Sequence, residues 1–176
     1  MDIETLVKLT SRAWSLSILA HMDRGVPGRQ AALIAATGAG RTSFRQSLDH
    51  LIDLGLLERN PGHGHPLRPE FRLTDQGAEI ARVAHRVEAL AKGSSERNLL
   101  RRAWSLPILS ASREPIYFCE IKARLLPITD RALSQSLKLL ETHSWLQREM
   151  ETSGRPLRPL YVATNAGAEI SRTIGA

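Results

Sequence analysis

Apolar residues recur at helical spacing over residues 4 to 22, where Leu6, Val7, Leu9, Ala13, Trp14, Leu16, Ile18 and Leu19 form a stripe. The run Arg24-Gly25-Val26-Pro27-Gly28 stops it, so the pattern predicts one helix there. A shorter helix is predicted through Gln30-Ala31-Ala32-Leu33-Ile34-Ala35-Ala36. It meets Gly38-Ala39-Gly40, a tight turn rich in the residue that tolerates positive φ. From Arg41 to Leu54 the chain separates into two faces: Phe44, Leu48, Leu51, Ile52 and Leu54 on one, Arg41, Thr42, Ser43, Arg45, Gln46 and Asp49 on the other. Two helices joined by such a turn form a helix-turn-helix pattern. Beyond it, Leu56-Leu57-Glu58-Arg59 and Glu70-Phe71-Arg72-Leu73 read as strands, joined by a connection too long for a tight hairpin. That predicts a protruding wing, after which Thr74 caps a helix continuing through Ile80, Val83, Val87 and Leu90.

The same pattern then returns. Arg12-Ala13-Trp14-Ser15-Leu16-Ser17-Ile18-Leu19 recurs as Arg102-Ala103-Trp104-Ser105-Leu106-Pro107-Ile108-Leu109, at an offset of 90. Pro66-Leu67-Arg68-Pro69 recurs as Pro156-Leu157-Arg158-Pro159, and Gly77-Ala78-Glu79-Ile80 as Gly167-Ala168-Glu169-Ile170, at the same offset. Between them the register slips by one, since Gln46-Ser47-Leu48 aligns with Gln135-Ser136-Leu137; single slips belong in turns. The period is too long for a solenoid unit and suits a small domain. Helices are therefore expected at about 97 to 111, 117 to 126 and 130 to 143, strands at about 145 to 150 and 160 to 163, and a last helix after Thr164. With the seam at Lys92-Gly93-Ser94-Ser95, the expected fold is mainly α with small β-hairpins (α+β), as two tandem winged helix-turn-helix domains at 1–92 and 93–176.

Three motifs carry a family resemblance: Trp-Ser-Leu-x-Ile-Leu in each half, Leu133-Ser134-Gln135-Ser136-Leu137-x-x-Leu140-Glu141 in the third helix of the second, and Phe71-Arg72-Leu73-Thr74-x-x-Gly77 leaving the first wing. In their order and spacing the chain resembles the HxlR-type winged-helix regulators, which are related to MarR-type proteins. The resemblance implies DNA binding and transcriptional regulation, in a family whose members usually hold one such domain and form homodimers on pseudo-palindromic operators. This chain departs by joining two. Several members of the family sense oxidants through a cysteine near the N-terminus, and this sequence has none there, so that activity is not implied.

Winged helices place the second helix of the motif in the major groove, where side chains at its N-terminal end reach base edges. The candidates are Arg41, Thr42, Ser43, Arg45 and Gln46 in the first half. In the second they are Arg131, Ser134 and Gln135, with Lys138 one turn on. Arg41 aligns with Asp130 and Ser43 with Ala132, so the two heads should read different half-sites. Arg68 and Arg158 hold equivalent wing positions and, with Arg155, are candidates for phosphate or minor-groove contact. A plain turn whose arginine packs on Trp or Tyr is the alternative for the Pro-Leu-Arg-Pro motif. Trp14 and Trp104 are expected as core or interface anchors rather than base-stacking platforms.

Composition adds weight without identifying a partner. Twenty-four Lys and Arg against eighteen Asp and Glu give a formal charge of +6, favouring a polyanion. The one cysteine, Cys119, excludes an intramolecular disulfide, and beside Phe118 and Ile121 it is expected to be a buried structural thiol. His63 and His65 lack a third ligand, so no metal is expected. No catalytic triad, phosphate-binding glycine loop or other catalytic constellation is found; neither an enzyme nor a cofactor is expected. The expected partner is double-stranded DNA, with a second copy of the chain or RNA polymerase as further partners, no membrane, and a cytoplasmic, nucleoid-associated location. The competing reading is a protein-interaction adaptor or anti-repressor built on winged helices that do not bind specific DNA.

Overall fold

The computed structural model describes residues 1–60, 69–151 and 158–175, and they form two compact units. One is Leu9–Ala89; the other is Leu90–Ala176 together with Met1–Lys8. The chain is mainly helical with small antiparallel sheets. No helix among the described residues is long and apolar enough to cross a membrane.

The predicted first helix is two, α1 (Ile3–Thr10) and α2 (Ser15–Asp23), and its counterpart at 97–111 is likewise two, α6 (Ser94–Leu100) and α7 (Ser105–Ala111). The expectation of one continuous helix in each place is thus corrected. Each break is a turn in which Ser15 N–H donates to Arg12 (3.2 Å) and Ser105 N–H to Arg102 (3.1 Å). The physical reason lies in α2, where Ser15 to Ala20 are all buried. With every position from Ser15 to Ala20 buried, no one-sided stripe is left in the sequence to mark where one helix ends and the next begins. Pro107 gives the same signal. It sits third in α7, where its missing N–H has no intrahelical partner to lose, whereas deep inside one long helix it would break the ladder.

In the first unit α3 (Gln30–Thr37) ends at Gly38, whose left-handed φ of 69° turns its N–H onto the Ile34 carbonyl at 2.9 Å. Gly40 then starts α4 (Arg41–Asp53), with Phe44, Leu48 and Leu51 buried at i, i+4 and i+7. Strands β1 (Leu57–Asn60) and β2 (Glu70–Leu73) pair antiparallel, Leu57 opposite Leu73, and lead into α5 (Asp75–Leu90). The expected Thr74 cap is present, its hydroxyl accepting from Gly77 N–H at 3.0 Å.

The second unit runs through α6 and α7, β3 (Ile116–Tyr117), α8 (Phe118–Arg124), α9 (Asp130–Thr142), β4 (Leu146–Glu151), β5 (Arg158–Ala163) and α10 (Asn165–Ile174). Its sheet is ordered β3-β5-β4 and antiparallel throughout. The two-residue β3 has no pattern long enough to read from sequence. In the first unit its place is taken by a single bridge between Arg29 and Glu70. Local contacts repeat between the units: Thr74 Oγ1 donates to the Gly55 carbonyl at 2.8 Å, as Thr164 Oγ1 does to that of Ser144 at 3.2 Å.

Candidate nucleic-acid interface

Helix α4 offers one polar face. Arg41, Thr42, Arg45 and Gln46 are exposed, while the opposite side is locked into the core by Phe44 and Leu48. Ser43 is half-buried and its hydroxyl donates to the Gly40 carbonyl at 3.0 Å, so it serves its own helix start. One turn on, the Ser47 hydroxyl is buried, donating to the Ser43 carbonyl at 3.0 Å and accepting from Trp14 N–H at 3.3 Å, which anchors α4 to the turn before α2. Arg45 pairs with Asp49 at 3.7 Å, an exposed i,i+4 pair that a phosphate can displace at little cost. The N-cap of α4 is Gly40, which has no side chain to cap the helix, so among the described residues no side-chain cap occupies the N–H groups of its first turn.

Helix α9 repeats this face with different chemistry. Arg131, Ser134, Gln135 and Lys138 are exposed, and Leu133, Leu137 and Leu140 are buried beneath them. Its start is closed: Thr129 Oγ1 accepts from Ala132 N–H at 3.2 Å, and Asp130 holds Lys122 of α8 at 2.7 Å. The Arg41/Asp130 difference therefore becomes an open, cationic helix start against a capped one carrying an ion pair. Lys122 was not visible as a partner in the sequence, because its contact depends on how α8 crosses α9.

Arg158 begins β5, is exposed, and faces Glu151 in the β4–β5 ladder. Arg68 and Arg155, with His63 and His65, lie outside the described residues. Trp14 and Trp104 are half-buried at the starts of α2 and α7; the fully buried tryptophan is Trp145, which enters β4. Cys119 is exposed, correcting the expectation of a buried thiol. At about 100° per residue it stands some 200° around α8 from the buried Ile121, on the far side of the helix. Among the described residues no group of three His, Cys, Asp or Glu is placed to hold a metal.

The sequence pattern missed Tyr117. Its hydroxyl donates to Glu151, which with burial raises the Tyr117 pKa above the ordinary tyrosine value, opposed in part by the positive charge of Arg158.

Residues 99–176 match the family model described as HxlR-like helix-turn-helix. This stretch contains α9 with Arg131, Ser134, Gln135 and Lys138, and Arg158 on β5, so the second polar face lies within the HxlR-like match. Nothing among the curated proteins matches the chain. A crystal structure described as a MarR-family transcriptional regulator from Porphyromonas gingivalis W83 is 21% identical, covering 59% of this chain and 89% of that one with a TM-score of 0.38. So loose a superposition carries no weight for fold or function.

Proposed function

We propose that the protein is a sequence-specific double-stranded DNA-binding transcriptional regulator in which two winged helix-turn-helix domains, 1–92 and 93–176, supply non-identical reading heads. The observation that carries this is the pair of exposed polar faces on α4 and α9, each ahead of a hairpin and a closing helix, the second within the HxlR-like match. Arg41 and Gln46 suit guanine and adenine edges in the major groove; Gln135 suits adenine, and Arg131 and Lys138 guanine or phosphate. Arg45 has an exchangeable ion pair and serves as a backbone contact, and Thr42 and Ser134 offer hydroxyls to bases or phosphates. Arg68, Arg155 and Arg158 are proposed as wing contacts. A net charge of +6 supplies long-range attraction to the duplex.

The test is a random-duplex selection repeated with Arg41→Ala and Gln46→Ala. Each good bidentate contact contributes about 1–3 kcal/mol of discrimination, so about 5- to 150-fold in preference should vanish at positions confined to one half of the motif. Loss spread over both halves, or no change at all, contradicts the assignment of α4 as a separate reading head. A chain that selects no motif supports the adaptor reading instead.

A further inference from the structure

The β1–β2 and β4–β5 ladders begin alike, with Leu57 opposite Leu73 and Leu146 opposite Ala163. Counted from that first pair, their charges have diverged: Glu58 stands where the second ladder has Gln147, and Arg72 where it has Val162. One charged position is common to both. Arg59 and Arg148 are each third in their strand, and each is paired with an aromatic residue, Arg59 with Phe71 and Arg148 with Tyr161.

Directly paired residues of an antiparallel ladder point to the same side, as do residues two apart along a strand. Arg59 therefore shares a face with Leu57 and Phe71, and Arg148 shares one with Leu146, Tyr161 and Ala163. Those five neighbours are buried, yet both arginines are exposed, so each marks the point where its hairpin runs out past the core. Burial raises the Tyr161 pKa above the ordinary tyrosine value; the positive charge of Arg148 opposes this, and Glu141 of α9 adds to it. Both charges are felt at one phenol, which places Arg148 on the side of the hairpin nearer α9. Among the described residues neither Arg59 nor Arg148 is held by an ion pair or a side-chain hydrogen bond.

We propose that Arg59 and Arg148 are a matched pair of DNA-phosphate contacts, one on the core-side face of each hairpin, that seat two differently reading heads on the duplex backbone in the same way. The inference rests on the reading of the chain as a two-headed DNA-binding protein. A guanidinium presents a rigid fork of donors that fits a phosphate bidentately, and one with no internal carboxylate is available to it. Phosphate contacts fix orientation and carry no sequence information. This position can therefore stay the same in both heads while the exposed faces of α4 and α9 differ.

A duplex selected by the full chain from a random library is titrated by fluorescence anisotropy over a range of salt, with Arg59 and Arg148 each replaced by Ala, Gln and Lys. R59A and R148A are each expected to weaken binding about three- to tenfold and to flatten the slope of log affinity against log salt by about 0.9, the loss of one phosphate contact. R59K and R148K keep the slope. Selection repeated with R59A or R148A returns the wild-type motif, and their denaturant midpoints match wild type. A fall in midpoint and affinity with the slope unchanged shows instead that the arginines serve to cover Phe71 and Tyr161, and overturns the proposal. So does a changed motif, which would make either residue a base reader, or an effect from one arginine and none from the other. Should an alanine variant fail to fold, R59Q and R148Q keep the aliphatic stem without the charge, and an unchanged slope in them overturns the proposal. If wild type selects a motif while every variant binds like it, this inference falls and the two-headed reading stands; if wild type selects no duplex, both fall.

Discussion

Gly77 and Gly167 each lie against a backbone carbonyl: a methyl group added at Gly77 would stand 1.9 Å from the Leu56 oxygen, and one at Gly167 2.0 Å from the Trp145 oxygen. These approaches seat the start of the closing helix on the chain entering the hairpin, the same joint in both units. Backbone cannot yield as a flexible side chain can, so G77A and G167A should each cost about 1–3 kcal/mol, read as a fall in the denaturant midpoint. A second residue pair is unequal. Gly55 turns the chain out of α4 with φ of 69°, and Ser144 does so after α9 with φ of 56°. A side chain in the left-handed region is strained, so S144G should raise stability by roughly 0.5–1 kcal/mol while G55A lowers it. The repeated glycines were legible in the sequence as repeats, but the carbonyls they face were not. The exposure of Cys119 was misread because its apolar neighbours in sequence are not its neighbours around the helix.

At the scale of elements, α4 and α9 were legible nearly to their ends, because a long amphipathic stripe with a turn before it specifies both period and start. The breaks between α1 and α2 and between α6 and α7 were not, since continuous burial hides periodicity. Strand β3 escaped notice because its pairing with β5 bridges residues distant in sequence. The exposed faces of α4 and α9 were expected from the pattern; the ion pair that distinguishes their starts emerges only from packing. Asp130 places a carboxylate at the tip of α9 and occupies Lys122. D130N should therefore tighten duplex binding several-fold and steepen its salt dependence, as a repulsive charge goes and a lysine is released. Anisotropy titrations at several salt concentrations check this, and unchanged or weaker binding would show that Asp130 faces away from the DNA.

For the whole molecule, the repeat in the sequence and the succession of elements in the two units are what support the proposal of two DNA-reading modules with diverged recognition faces. That the chain is mainly helical with small antiparallel sheets was legible because the same patterning occurs twice, a stronger signal than either copy. The seam near Lys92 marks the repeat, and Met1–Lys8 cluster with Leu90–Ala176. Long-range packing of a terminal helix leaves no local trace in sequence. The central claim is that the intact chain reads duplex DNA through two different heads, and selection of bound duplexes from a fully random library, at low and near-physiological salt, tests it most directly. The account predicts a motif of two dissimilar half-sites that persists at the higher salt, because base contacts outlast screening of the phosphates. Binding confined to low salt without sequence preference, or a motif of two identical inverted half-sites, would contradict it.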